Sequence, residues 1–217
     1  QWVFDRKLDG LKESCRIMVK DEDQSIWISH PYRGVYNVRW NAGNKDKIDI
    51  RFFNQENGLP TNLNNYVFQI AGKAVFATEK GVFHFDRSKD TFVPDDDFNR
   101  LLDKQHRVRY LREDTKGNVW YVTDHEAGML IVNDFGLKKE VRKKVIPELA
   151  GKLVGGFEFL LPIDGHNMII GTEQGFIHYA LDEEDQSDTL PQIILSNITA
   201  SGTSDSTLFG GFYSGSN

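Results

Sequence analysis

The side chains best suited to hold a polar ligand fall in two short insertions, His30-Pro31-Tyr32-Arg33-Gly34 and Thr123-Asp124-His125-Glu126-Ala127-Gly128. Tyr32, Arg33, Asp124, His125 and Glu126 combine an aromatic face, a guanidinium, an imidazole and two carboxylates. These groups stack on sugar rings and hydrogen-bond to hydroxyls, and loops on a rigid scaffold are where such groups act. Ordinary loop variation facing solvent is the competing reading. Hydrolytic chemistry is served less well. Cleavage of a glycosidic bond needs two carboxylates on opposite sides of a substrate, whereas Asp21-Glu22-Asp23, Asp95-Asp96-Asp97 and Glu183-Glu184-Asp185 sit in turn or linker contexts and read as solvated turns. His30, His84, His106, His125, His166 and His178 have no second ligand three or four residues away, so they lack metal spacing. Gly151-Lys152-Leu153-Val154-Gly155-Gly156 does not fit a phosphate-binding loop. The expectation is a segment with no catalytic residue, no metal and no cofactor.

Bulk properties narrow the class. A chain of 217 residues with 39% hydrophobic and 12% aromatic residues can build a sizeable core. Its net charge of −6 argues against nucleic acid, which demands clustered Lys and Arg to replace phosphate counterions. The basic cluster Lys138 to Lys144 is expected to be a strand edge, where lysine discourages edge-to-edge pairing. The single Cys15 excludes an internal disulfide and is expected to act as a small apolar strand residue. The opening residues Gln1 to Asp5 lack the charged and apolar regions of a secretory leader, and no stretch is long and apolar enough to span a membrane.

The elements that must carry the two insertions come from a repeat. Segments around Trp27, Val75, Trp120 and Ile169 resemble one another, with separations of 48, 45 and 49 residues, a propeller blade length. Each period holds four strands. In the first they are Cys15 to Lys20, Ser25 to Ser29, Val35 to Val38 and Ile48 to Phe53, the last alternating Ile48, Ile50 and Phe52 against Asp49, Arg51 and Phe53. The second has Asn65 to Ile70, Ala74 to Thr78, Gly81 to Asp86 and Thr91 to Val93. The third has Val108 to Glu113, Val119 to Thr123, Gly128 to Asn133 and a segment from about Leu137. The fourth, Phe157 to Leu161, Met168 to Thr172 and Gly175 to Leu181, lacks a clear outer strand. Trp2-Val3-Phe4 reads as the last strand of a preceding blade. Phe98 to Leu102 and Glu148 to Ala150 read as single helical turns. Gly34, Gly81, Gly128 and Gly175 close hairpins by positive φ or close packing. The residue at the Trp27 position is expected to fill the gap between adjacent blades, and the equivalent His84 and His178 to pack alike.

Three motifs, in one order and at one period, carry a family resemblance: Gly58-Leu59-Pro60-Thr61-Asn62, Asp114-x-x-Gly117-Asn118-Val119-Trp120, and Gly171-Thr172-Glu173-Gln174-Gly175. Together they resemble the two-component regulator propeller repeat of the sensor regions of Bacteroidetes hybrid two-component systems and one-component regulators. Departures are Val75 and Ile169 in place of tryptophan, and Lys12 where proline is usual. Leu190 to Gly202 resembles the opening strand of the triple-tyrosine β-sandwich that follows such propellers. The expected fold is all-β: about four four-stranded blades of a larger propeller over residues 1–181, a linker over 182–190, and the start of the sandwich over 191–217, with only one strand and a truncated or disordered tail.

The resemblance implies a noncatalytic periplasmic sensor fragment of a signal-transduction or transcription regulator that responds to a glycan or oligosaccharide. It also implies a possible homodimer through the parent receptor, membrane attachment only through that parent, and no nucleic-acid contact by this segment. A fragment of a propeller carbohydrate-active enzyme and a protein-interaction scaffold are the alternatives.

Overall fold

The structure is a computed structural model and describes residues 10–30, 32–41, 44–102, 106–135, 138–180, 197–200 and 206–210. The chain divides into two units, Gln1–Ala180 and Leu181–Asn217. The strand expected at residues 2–4 and the linker at 182–190 lie outside the described residues.

The first unit is a succession of antiparallel sheets whose strands neighbour one another in chain order. The first sheet holds β1 (Ile17–Lys20), β2 (Ile26–His30), β3 (Gly34–Asn41) and β4 (Asn44–Phe53). The second holds β5 (Tyr66–Ile70), β6 (Lys73–Thr78), β7 (Gly81–Asp86) and β8 (Thr91–Pro94). The third holds β9 (Val108–Glu113), β10 (Val119–Thr123), β11 (Ala127–Phe135) and β12 (Lys138–Val145). The fourth has three strands among the described residues, β13 (Leu160–Pro162), β14 (Asn167–Thr172) and β15 (Gly175–Ala180). Helix α1 (Asp96–Leu102) and the 3-10 turn Pro147–Leu149 occupy the two expected helical sites, and a further 3-10 turn spans Gln55–Asn57. The basic strand β12 is the outer edge of its sheet, as its lysines suggest.

A second strand with a blade on either side is covered on both faces and is therefore continuously apolar. In β6, Ala74 to Ala77 are all buried. Trp27 of β2 is 1% exposed and sits 5.1 to 5.7 Å, centroid to centroid, from Phe53 of its own sheet and from Phe76, Phe85 and Phe92 of the next. Val75 joins the core formed with Val108, Leu111 and Tyr121 of the third sheet, and Trp120 meets Tyr179 of the fourth edge-on at 5.5 Å. The repeat-marking residue thus fills the space between successive blades. Two hairpin glycines show the two reasons for their presence. Gly34 has φ 124° and an added Cβ would strike the Phe53 carbonyl, whereas Gly128 keeps ordinary dihedrals but lies against the Lys144 carbonyl and the Tyr121 ring.

Several expectations are corrected. In β4 it is Phe53 that is buried, at 1% exposure, while Phe52 is 44% exposed. Either face of a blade meets a neighbouring blade, so alternation does not tell core from solvent, and the Phe53 face is the one against Trp27. His84 and His178 do not pack alike: His84 faces Asp95 at 3.3 Å, and His178 bonds the Asn167 side-chain oxygen at 2.8 Å, both at the surface. Strand β13 begins at Leu160, leaving Phe157 outside it and 77% exposed. In the second unit β16 (Asn197–Ala200) pairs antiparallel with β17 (Ser206–Gly210), with a register shift at Ile198/Thr199. A second strand therefore exists where the Gly- and Ser-rich composition had hidden it, because backbone pairing needs no alternating side chains.

Turn carboxylates stiffen the hairpins. The Ser88 hydroxyl, followed by the Lys89 side chain, holds the Asp86 carboxyl well below the usual carboxylate range. The His166 amide and then the Asn167 side chain depress Asp164, and Arg51 depresses Asp90. A group whose pKa falls on folding stabilises fully above its unfolded value, about 4, and loses that contribution as pH drops through the folded value. The expected result is a stability plateau above about pH 5 and a decline confined to more acid solution, read from urea midpoints against pH. A maximum below pH 4 would contradict it.

Candidate functional site

The innermost strands converge. β1 lies beside β5 and β5 beside β9, and with residues 156–159 they line a cavity of about 820 Å³. Backbone bonds fix which end of it the long hairpins occupy. The Arg16 amide donates to Ser29 O at 3.2 Å, the Gly81 amide to His106 O at 3.2 Å, and the Asp124 amide to Arg107 O at 3.3 Å. The β2–β3, β6–β7 and β10–β11 hairpins therefore surround the end where the inner strands begin.

A polar layer crosses that end. The pairings Val19↔Trp27, Phe68↔Val75, Arg112↔Trp120 and Leu161↔Ile169 define equivalent inner-strand positions. Three residues before these positions stand Arg16, Asn65, Arg109 and Glu158, at or just before the start of each inner strand. Arg109 turns Nε and Nη2 toward Glu158 Oε1, with Nε at 2.5 Å, and the same oxygen accepts from the Gly156 amide at 3.1 Å. The Glu158 side chain is only 4% exposed. Arg16 lies over the Tyr66 and Phe157 rings at 5.4 and 5.1 Å and donates to the Tyr66 hydroxyl at 3.4 Å. Asn65 donates to Thr61 O at 2.8 Å, and its own oxygen is buried without a partner. Arg107, beside the layer, has a buried Nε without a partner.

The residues expected at the ligand face occupy the two hairpins. Tyr32 is 72% exposed, and its amide donates to His30 Nδ1 at 3.2 Å. Arg33 pairs with Glu13 at 2.7 Å, and His30 Nε2 stands 3.7 Å from the same carboxylate. Tyr32 and Arg33 line an open groove of about 510 Å³ with Tyr36, Phe52, Asn54 and Asn62. In the other hairpin Asp124 is exposed and the His125 ring lies 4.3 Å from that of His106. Glu126 accepts from the Tyr121 hydroxyl at 3.1 Å and pairs with Lys143, which anchors it to the blade. Burial, followed by the Glu126 charge, pushes the Tyr121 hydroxyl well above the usual phenol range. Among the described residues no hydrogen bond, ion pair or shared groove joins Tyr32 and Arg33 to Asp124, His125 and Glu126. The minimal hairpin Thr78 to Gly81 separates them.

The inner-strand groups Arg16, Arg107, Arg109, Tyr66 and Glu158 were not anticipated from sequence. A signal existed in Arg107-Val108-Arg109-Tyr110-Leu111-Arg112, two arginines inside one innermost strand and a third immediately before it, where apolar residues are the rule. Among the described residues no group of three or more His, Cys, Asp or Glu could hold a metal ion, and no helix is long and apolar enough to cross a membrane.

Antiparallel four-stranded sheets, packed face to face with their first strands around a cavity, define this unit as blades of a β-propeller. No family model matches the chain, and no curated protein matches it. Among solved structures it is similar to the extracellular domain designated the hybrid two component system BT3049 of B. thetaiotaomicron. The TM-score is 0.51 and the identity 18%, over 87% of this chain and 24% of that one. A looser likeness, TM-score 0.41 and 12% identity over 88% of this chain and 33% of the other, is to the extracellular domain designated the one component system BT4673 of the same organism. The chain thus has the fold of a stretch of the BT3049 extracellular domain and spans about a quarter of its length.

Proposed function

We propose that this chain is the noncatalytic recognition part of a periplasmic sensor in a two-component or one-component regulator, and that its ligand is a glycan or oligosaccharide. The observation that supports this reading is the fold shared with the BT3049 extracellular domain, joined to the repeat motifs. In this reading membrane attachment, dimerisation and output belong to the parent protein. Tyr32 presents a ring for stacking against a sugar, while Arg33, Asp124 and His125 offer hydrogen bonds to hydroxyls. Glu126, tied to Tyr121 and Lys143, fixes the shape of its hairpin. A ligand that touches both hairpins must cross the short Thr78 to Gly81 turn and so bridge three blades.

The test is titration calorimetry of the purified protein against a panel of bacterial, plant and host oligosaccharides. Tyr32→Ala and His125→Ala are each expected to weaken the best ligand about tenfold, roughly 1.4 kcal/mol. Unchanged affinity in both variants would remove the hairpins from the site, and hydrolysis of a panel member would overturn the noncatalytic reading.

A further inference from the structure

Among the described residues the lining of the inner cavity carries more basic than acidic side chains. Arg16 and Arg109 converge on consecutive glycines: a Cβ at Gly155 would meet Arg109 Nη2 at 3.4 Å, and one at Gly156 would meet Arg16 Nη2 at 3.9 Å. Arg107 belongs to the same wall. The carboxylate at this end is Glu158, and both of the guanidinium nitrogens it faces belong to Arg109. The other carboxylates of the cavity are engaged elsewhere. Glu113 accepts from the Ala71 amide, and Asp114 from the amides and indole of its own turn. Among the described residues neither Arg16 nor Arg107 has a carboxylate partner, and Arg107 Nε is buried with no partner at all. An unpaired buried donor on a charged group is costly to maintain, and forked guanidinium donors match the two oxygens of a carboxylate or sulfate. Beside them Phe157 presents a ring that is 77% exposed, and cation and ring already meet at 5.1 Å.

We propose that the axial end of this cavity is a binding site for an acidic saccharide, whose carboxylate is held by Arg16 and Arg107 and whose ring lies against Phe157. The site is distinct from the hairpin grooves. It deepens the sensor reading, on which it rests, by naming the ligand class as anionic.

The experiment uses the purified protein with three probes: a uronic-acid disaccharide, the same disaccharide with its carboxyl reduced to the alcohol, and inorganic sulfate. The uronic acid is expected to raise the melting temperature of the unaltered protein and to bind at least tenfold more tightly than the reduced form, with affinity falling as salt rises. Arg16→Gln and Arg107→Gln are each expected to lose tenfold or more, and Arg16→Lys to recover only part of that loss. The melting-temperature shift of the unaltered protein keeps the test decisive if a glutamine variant fails to fold. Equal binding of the acidic and reduced disaccharides, binding unaffected by both arginine substitutions, or binding of inorganic sulfate alone would overturn the proposal. Tight binding of a neutral oligosaccharide that survives both substitutions would leave the sensor reading standing while overturning this one. Absence of binding by any saccharide would count against both.

Discussion

Trp27→Ala is expected to lower the stability of the propeller unit by about 3–5 kcal/mol, the range for deleting a buried tryptophan. The indole is the largest fully buried side chain among the described residues, and four phenylalanine rings surround it within 5.7 Å. Three of those rings belong to the next sheet, so the cavity left behind would open the seam between two blades. Collapse around it is resisted because Phe53, Phe85 and Phe92 also brace one another, at 5.0 to 5.8 Å. The indole N–H also donates to Asp21 Oδ2 at 3.0 Å, so Trp27→Phe separates the two contributions. It keeps most of the ring packing and is expected to cost about half as much as the alanine change, on the order of 2 kcal/mol. Trp120→Ala removes a residue with one ring partner among the described residues, Tyr179, and is expected to cost less than Trp27→Ala. Urea unfolding followed by far-ultraviolet circular dichroism measures all three. A loss below about 1.5 kcal/mol for Trp27→Ala would mean that the aromatic cluster repacks.

The second large effect is expected at Asp21. Its Oδ1 accepts from the Glu22 and Ala74 amides at 2.9 and 3.0 Å, and its Oδ2 from the Trp27 indole at 3.0 Å and Arg87 Nη2 at 2.6 Å. Ala74 and Arg87 belong to the next sheet, so one buried carboxylate ties two blades. Arg87 also reaches Glu22 at 3.2 Å and Asp23 at 3.3 Å, gathering the whole acidic triplet on one guanidinium. Asp21→Ala leaves two amides, an indole and part of a guanidinium without this acceptor, and is expected to cost about 3–5 kcal/mol. Asp114 is its repeat equivalent. It accepts from the Lys116 and Asn118 amides and from the Trp120 indole at 3.3 Å, all within its own blade. Asp114→Ala is therefore expected to cost less, about 1–3 kcal/mol. A double-mutant cycle with Arg87→Ala should show coupling to Asp21 and none to Asp114; equal losses at the two aspartates would refute the cross-blade role.

The repeat made much of this legible. The Trp27 equivalence, the strand content of each period and the hairpin glycines all follow from local spacing. Asp21 and Asp114 were visible as equivalent turn residues six before each tryptophan. Nothing local showed that Asp21 is buried while its equivalent Asp114 is only partly so, since both stand in polar turns that look solvated. The reversed roles of Phe52 and Phe53 escaped for a related reason. A blade strand has two apolar neighbours, one for each face, and alternation cannot say which face is covered. The hairpin residues chosen for their chemistry do lie at one end of the inner strands, but they form two separate groups.

By itself, then, the sequence determined the period, the strand content and the residue that marks each blade, because these depend on spacing and on side chains within a few positions of one another. Only the tertiary structure decided which charges meet. Arg87 reaches Asp21 across 66 residues and Arg109 reaches Glu158 across 49. Such pairs exist only once blades are stacked in register. Among the described residues the same stacking leaves Arg16 and Arg107 lining a cavity without a carboxylate of their own, a circumstance no stretch of sequence contains.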